Sequence, residues 1–160
     1  MRLRGATVCG LMVALAIASC QRKTVFSQYE GTPLTGWERN DTVDFFIPPI
    51  DAEGEMHEQV GLRINSKYPF KGLCLVIHQT IVPTAGGNAG AIHRTDTLNC
   101  RLSDDSGNIE GSGISSYQYD FPLATLHIRR GDSLHIRMHH NMRREILPGI
   151  SDVGITLKQR

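Results

Sequence analysis

No stretch of this chain sustains a helical period, and none is apolar for long enough to cross a membrane as a helix. The longest apolar run, residues 8–17, falls well short of a ~30 Å hydrocarbon core at ~1.5 Å per residue. A charge excess is missing too, since 17 Lys and Arg stand against 16 Asp and Glu. Without a basic field there is no electrostatic footprint for nucleic acid. Tryptophan occurs once, at Trp37 after a glycine, where it reads as a core anchor rather than a sugar-stacking platform. There are seven histidines but no HExxH or CxxC frame to converge metal ligands. His127, His135, His139 and His140 lie close in sequence. On a strand, His135 and His139 share a face and His139 and His140 oppose each other, so these read as surface or edge histidines. Asp104-Asp105-Ser106-Gly107-Asn108 lacks the calcium-loop spacing and reads as a plain turn. No GxSxG nucleophile elbow occurs, and residues 111–115 do not supply one. No catalytic residue, metal or cofactor is therefore assigned, and the chain reads as non-enzymatic.

What is present begins with the N-terminus. Arg2 and Arg4 precede the apolar run, which closes on Ile17-Ala18-Ser19-Cys20. A basic start, a short apolar core and small residues at a cut are the marks of a secretory signal. A cysteine directly after them resembles the lipobox of bacterial lipoproteins, in which the thiol is acylated and becomes the new N-terminus. Residues 1–19 are therefore expected to be removed as a lipoprotein signal peptide, and Cys20 to bind membrane lipid through its acyl chains. Stable anchoring takes more than one chain, at about 0.8 kcal/mol per buried CH₂. Loss of Arg2 and Arg4 leaves 15 basic side chains against 16 acidic ones, a net charge of −1 with His neutral.

Residues 20–36 read as a lipidated N-terminus and tether, with Phe26 and Tyr29 the first side chains to dock, and residues 37–160 as one folded domain. Period-two alternation marks strands at 41–47 (Val43, Phe45, Ile47), 57–65 (Val60, Leu62, Ile64), 133–138 (Leu134, Ile136, Met138) and 153–157 (Val153, Ile155, Leu157). The stretch 73–82 is apolar on both faces, as a strand in mid-sheet is. In 92–102, Ile92, Leu98, Cys100 and Leu102 face one way. A further strand is expected at 123–128, a mobile loop at 83–90, an irregular stretch at 109–119 and a short helical turn at 142–147. About eight strands with short connections predict an all-β fold, an antiparallel β-sandwich or jelly roll, with an antiparallel barrel as the alternative.

Leu147-Pro148-Gly149-Ile150-Ser151-Asp152-Val153-Gly154-Ile155 resembles the C-terminal signature of the GldH family of gliding-motility lipoproteins. Further pieces match in order: Phe26 and Tyr29, Gly36-Trp37, the stretch 68–73, 95–100, 101–107 and 111–113. The resemblance implies a lipoprotein of Bacteroidetes-type bacteria that works with envelope or secretion-machinery proteins, and it carries over no catalytic residue. Physically the signature reads as structural. Pro148-Gly149 is a turn, Asp152 caps backbone amides there, and Gly154 marks a bulge or a close backbone approach. Gln21, not Asp, follows Cys20, and no acidic cluster follows it, which points to the outer membrane and its periplasmic face. The alternative function is a glycan-binding sandwich that uses an exposed aromatic such as Tyr117. Once Cys9 leaves with the signal, Cys74 and Cys100 remain, either as a disulfide permitted by export or as two buried thiols.

Overall fold

Alternation along the chain becomes eleven strands in the computed structural model, which describes residues 22–84 and 90–160. They are β1 Lys23–Gly31, β2 Trp37–Glu38, β3 Val43–Ile47, β4 Gly54–Asn65, β5 Gly72–Val82, β6 Ile92–Arg101, β7 Ser112–Gly113, β8 Ser116–Ile128, β9 Ser133–His140, β10 Ile146–Leu147 and β11 Ile150–Gln159. Every pairing is antiparallel. One sheet runs β1-β11-β4-β8-β7, a second β3-β9-β5-β6, and β10 pairs with β2 as a small third. Met56, Val60, Leu62, Val153, Ile155 and Leu157 of the first sheet and Phe45, Leu75, Ile77, Ile136 and Met138 of the second are wholly enclosed. Each such side chain contributes roughly 1.5–3 kcal/mol of transfer free energy. The fold is the predicted all-β antiparallel sandwich. Among the described residues no helix is long and apolar enough to cross a membrane. Ile17, Ala18, Ser19, Cys20 and most of the 83–90 loop lie outside the described residues.

The expected elements and their faces need correction at four places. The stretch assigned to a tether contains β1, which pairs with β11 from Lys23↔Gln159 to Gly31↔Asp152. Lys23, Thr24 and Ser27 made it look like a linker. An edge strand has only one partner, so its solvent face stays polar while Val25 and Phe26 pack on the core. Among the described residues strand structure therefore starts at Lys23, not at Trp37. Residues 142–147 form no helical turn. Their backbone bonds to the β2 region instead, with Arg39 N donating to Glu145 O (2.8 Å) and Leu147 paired with Trp37. Ile92 is exposed although it shares a face with Cys100, because β6 is an edge strand and its start lies past the cover of the other sheet. Strand structure also begins earlier than expected in the 109–128 region, at Ser116.

Other expectations hold. β5 lies between β9 and β6, as its two apolar faces suggested. Trp37 is fully buried, donates from Nε1 to Asp41 O (3.0 Å) and meets His140 edge-on at 5.4 Å. The core also holds a polar pair. Glu58 on β4 and Gln79 on β5 are each 1% exposed and meet across the sandwich, Gln79 Nε2 donating to Glu58 Oε2 at 2.7 Å. Glu58 Oε1 and Gln79 Oε1 are buried without a hydrogen-bond partner among the described residues. Burial pushes the Glu58 carboxyl up to about 7.

Candidate functional site at one end of the sandwich

The strand directions collect distant segments at one end. β1, β4 and β6 finish there, while β5, β8 and β11 begin. The turn at Pro148-Gly149 sits on the 65–68 loop, with Asn65 N donating to Gly149 O at 2.8 Å. Gly149 has φ +85°, and a Cβ there would lie 2.3 Å from Tyr68 N, so both the turn and the close approach require glycine. Tyr68 OH in turn donates to Gly72 O (2.9 Å), and burial raises its pKa. Lys71 O accepts from Leu102 N and Ser103 N, which joins the 65–71 loop to the 102–109 loop. Asp104 accepts from Asn108 N and Nδ2, both at 2.8 Å. These bonds hold its carboxyl below the ordinary range and make this segment the expected tight turn.

Between these two loops lies a pocket of about 330 Å³ lined by Asn65, Tyr68, Phe70, Lys71, Ile109 and Tyr117, among others. Aromatic rings together with an amide and an ammonium suit a ligand with an apolar face and polar edges. Tyr119 also lines it, donating from OH to Leu102 O at 3.0 Å. A Cβ on Gly111 would fall 2.5 Å from the Tyr119 ring, which explains a glycine at that position.

The signature residues divide between core and outer face, with an irregularity between Ile150 and Asp152 that shifts the alternation. Leu147, Ile150 and Val153 are core, at 0%, 3% and 0% exposure. Asp152 does not cap the turn as expected. It points to the outer face opposite Arg63, 4.0 Å from Nη1, and the turn's bonds come from backbone. Gly154 is a close approach, as expected of it. It pairs with Gly61 on β4 and with Tyr29 on β1, and a Cβ on it would lie 2.7 Å from the Tyr29 ring. The two glycines form a trough in which Tyr29 lies. The Arg63 guanidinium sits 4.3 Å over the ring, and Gln118 Nε2 donates to the hydroxyl at 3.3 Å. Burial first, then Asp120, raises the Tyr29 pKa. Gly61 was the missed member. Its only sequence signal is a glycine interrupting an alternating strand.

Cys74 and Cys100 are both free thiols, which corrects the disulfide option. Cys100 is paired with Leu73, so Cys74 is one residue out of register and faces the other side of the sheet. Burial pushes the Cys100 thiol up to about 12. His135 and His139 share the outer face while His140 is buried, with Nε2 3.1 Å from Trp37 O. His127 is exposed near the end of β8, at the opposite end of the sandwich.

The family model described as GldH lipoprotein matches residues 24–157. The chain belongs to the GldH lipoprotein family. It is 25% identical over 157 residues to the gliding motility lipoprotein GldH of Flavobacterium johnsoniae, covering 94% of each chain. Among solved structures it is similar to an aminopeptidase from a marine-sediment Thaumarchaeota archaeon, with 9% identity, 87% of this chain and 31% of that one covered, and a TM-score of 0.38. An α-amino acid ester hydrolase gives 7%, 88%, 31% and 0.36, and an Eiger TNF from S. frugiperda gives 13%, 87%, 94% and 0.32. At these scores the solved structures carry no argument about activity. In this GldH-family chain the C-terminal signature is a piece of architecture. It holds the register of β11 between β1 and β4 and braces the loops that form the pocket.

Proposed function

We propose that this chain is a lipid-anchored, non-enzymatic lipoprotein of the bacterial envelope that holds a protein partner at the end of the sandwich farthest from its anchor. The relative's name associates it with gliding motility, and the partner is a protein of that machinery or of the secretion apparatus linked to it. The polarity of β1 supports the reading. It starts three residues after Cys20 and ends at Gly31, beside the signature turn. Nine residues at about 3.3 Å each separate anchor from turn by roughly 30 Å. At that far end Leu34, Phe70, Ile109, Ile114 and Ile146 are all exposed, at 106%, 38%, 46%, 94% and 43%. Five exposed apolar side chains at this end support an interaction surface there. Gln21 rather than Asp after Cys20 favours retention on the outer membrane, facing the periplasm.

Photo-crosslinkers placed at Phe70, Ile109 and Ile114 in the native envelope should capture one partner, and one placed at Phe46 should not. Capture from Phe46 alone, with silence at the far end, defeats the docking reading. Fatty-acid analogue labelling should mark the wild type and fail on Cys20→Ala. Equal labelling of both defeats the anchor. The aromatic pocket favours a second reading, glycan binding, in which Tyr117→Ala abolishes saturable binding of envelope glycan.

A further inference from the structure

The outer face of the four-stranded sheet carries a groove of about 250 Å³ lined by Arg39, Asn40, Thr42, His78, Arg137 and His139. Two guanidiniums and two imidazoles line it, together with an amide and a hydroxyl, and no carboxylate does. The register explains the gathering. Arg137 on β9 is paired with His78 on β5, and His139 lies two residues along the same face. The two imidazoles stack with centroids 5.5 Å apart. His78 Nδ1 is 3.0 Å from Thr95 Oγ1, which orients the ring and leaves Nε2 available. Among the described residues neither arginine is ion-paired, and Arg39 Nη1 only reaches Met142 O at 3.5 Å. One neighbouring carboxylate is already hydrogen-bonded. Asp44, across from Arg137 on β3, gives one oxygen to His135 (2.8 Å) and accepts from Thr42 at the other (3.2 Å). Asp41 lines a neighbouring groove with Glu30.

We propose that this groove binds a phosphate group, either free or as the phosphomonoester of an envelope glycolipid or glycan. A metal ion is disfavoured by the two guanidiniums. A carboxylate has too few oxygens for the donors present, whereas phosphate has three strong acceptors and carries close to two charges near neutral pH. Arginine supplies the forked donors that match it. Burial, and then the neighbouring His78, hold the His139 pKa below its ordinary value, so a bound dianion reverses an unfavourable placement. The groove is near the far end of the sandwich, which puts it out of reach of headgroups in the membrane that holds Cys20.

The test uses the full acylated protein in non-ionic detergent, following histidine Cε1 resonances in phosphate and in chloride at equal ionic strength. In phosphate, His139 should titrate at a pH higher by roughly half a unit or more, and the His78 resonance should move with added phosphate. His127, at the other end, should not move. Arg137→Gln should lose the shift at an unchanged melting temperature, since Arg137 is exposed. Protein in proteoliposomes should then be offered separate vesicles of phosphatidic acid or phosphatidylcholine. Capture of the phosphatidic acid vesicles alone, competed by inorganic phosphate, assigns a surface-borne phosphomonoester. A phosphate shift without capture assigns a soluble one. Titrations identical in phosphate and chloride overturn the proposal, and so does an equal shift produced by acetate.

Discussion

Glu58→Gln isolates the glutamate sealed in the core. In the folded protein this carboxyl titrates at about 7 against 4.5 for an ordinary glutamate, mainly through desolvation, with Asp96 pushing it further up and the Gln79 bond and Arg94 pulling it down. The sign follows from linkage. A group whose folded pKa is raised binds more protons in the folded state, so its stabilisation is fully present below pH 4.5 and is lost as the pH rises to about 7. At about 1.4 kcal/mol per pKa unit the loss is about 3 kcal/mol, a large share of a typical domain's stability. The side-chain geometry gives the loss a concrete form. Gln79 Nε2 serves one carboxyl oxygen, and the two remaining atoms, Glu58 Oε1 and Gln79 Oε1, are both acceptors while Glu58 is ionised. A proton on Glu58 converts one of them into a donor. Glutamine keeps the shape, supplies an NH₂ and never ionises. Urea unfolding of both proteins from pH 4.5 to 8 is the measurement. The wild type should fall relative to Glu58→Gln by about 1.4 kcal/mol per pH unit up to pH 7 and run parallel above it. His139 and His140, held low by burial, lose stability in the opposite direction, as pH falls, and do so in both proteins alike. Parallel curves throughout would refute a buried, protonated Glu58.

Three further outcomes test the architecture. Gly154→Ala should destabilise by about 1–3 kcal/mol because its Cβ meets the Tyr29 ring, and most of that cost should vanish on a Tyr29→Ala background in a double-mutant cycle. Ile155→Ala, fully enclosed between β1 and β4, should cost about 2–5 kcal/mol in chemical unfolding, and a normal midpoint would mean that β11 is misassigned. Both Cys74 and Cys100 should alkylate in denaturant without reductant, with Cys100 inert in the native protein; a reductant-sensitive mass would contradict their opposed faces.

By itself the sequence determined the strand content and the inward faces. Val60, Leu62 and Ile64, or Leu134, Ile136 and Met138, can be hidden together only as alternate residues of a strand, so their spacing reveals both element and face. The signature turn was legible for a similar reason, being a local pattern whose chemistry depends on adjacent residues. Tertiary structure decided whatever depends on which strand lies beside which. β1 reads as a linker until β11 offers it a ladder, and Cys74 and Cys100 read as bondable until the pairing sets them one residue out of step. Gly61 has no meaning until Tyr29 lies over it. Glu58 and Gln79, on different strands and sheets, become a pair only when the sheets close. Register and sheet stacking are set by the summed burial of many side chains far apart in the chain, and no local window of residues contains that sum.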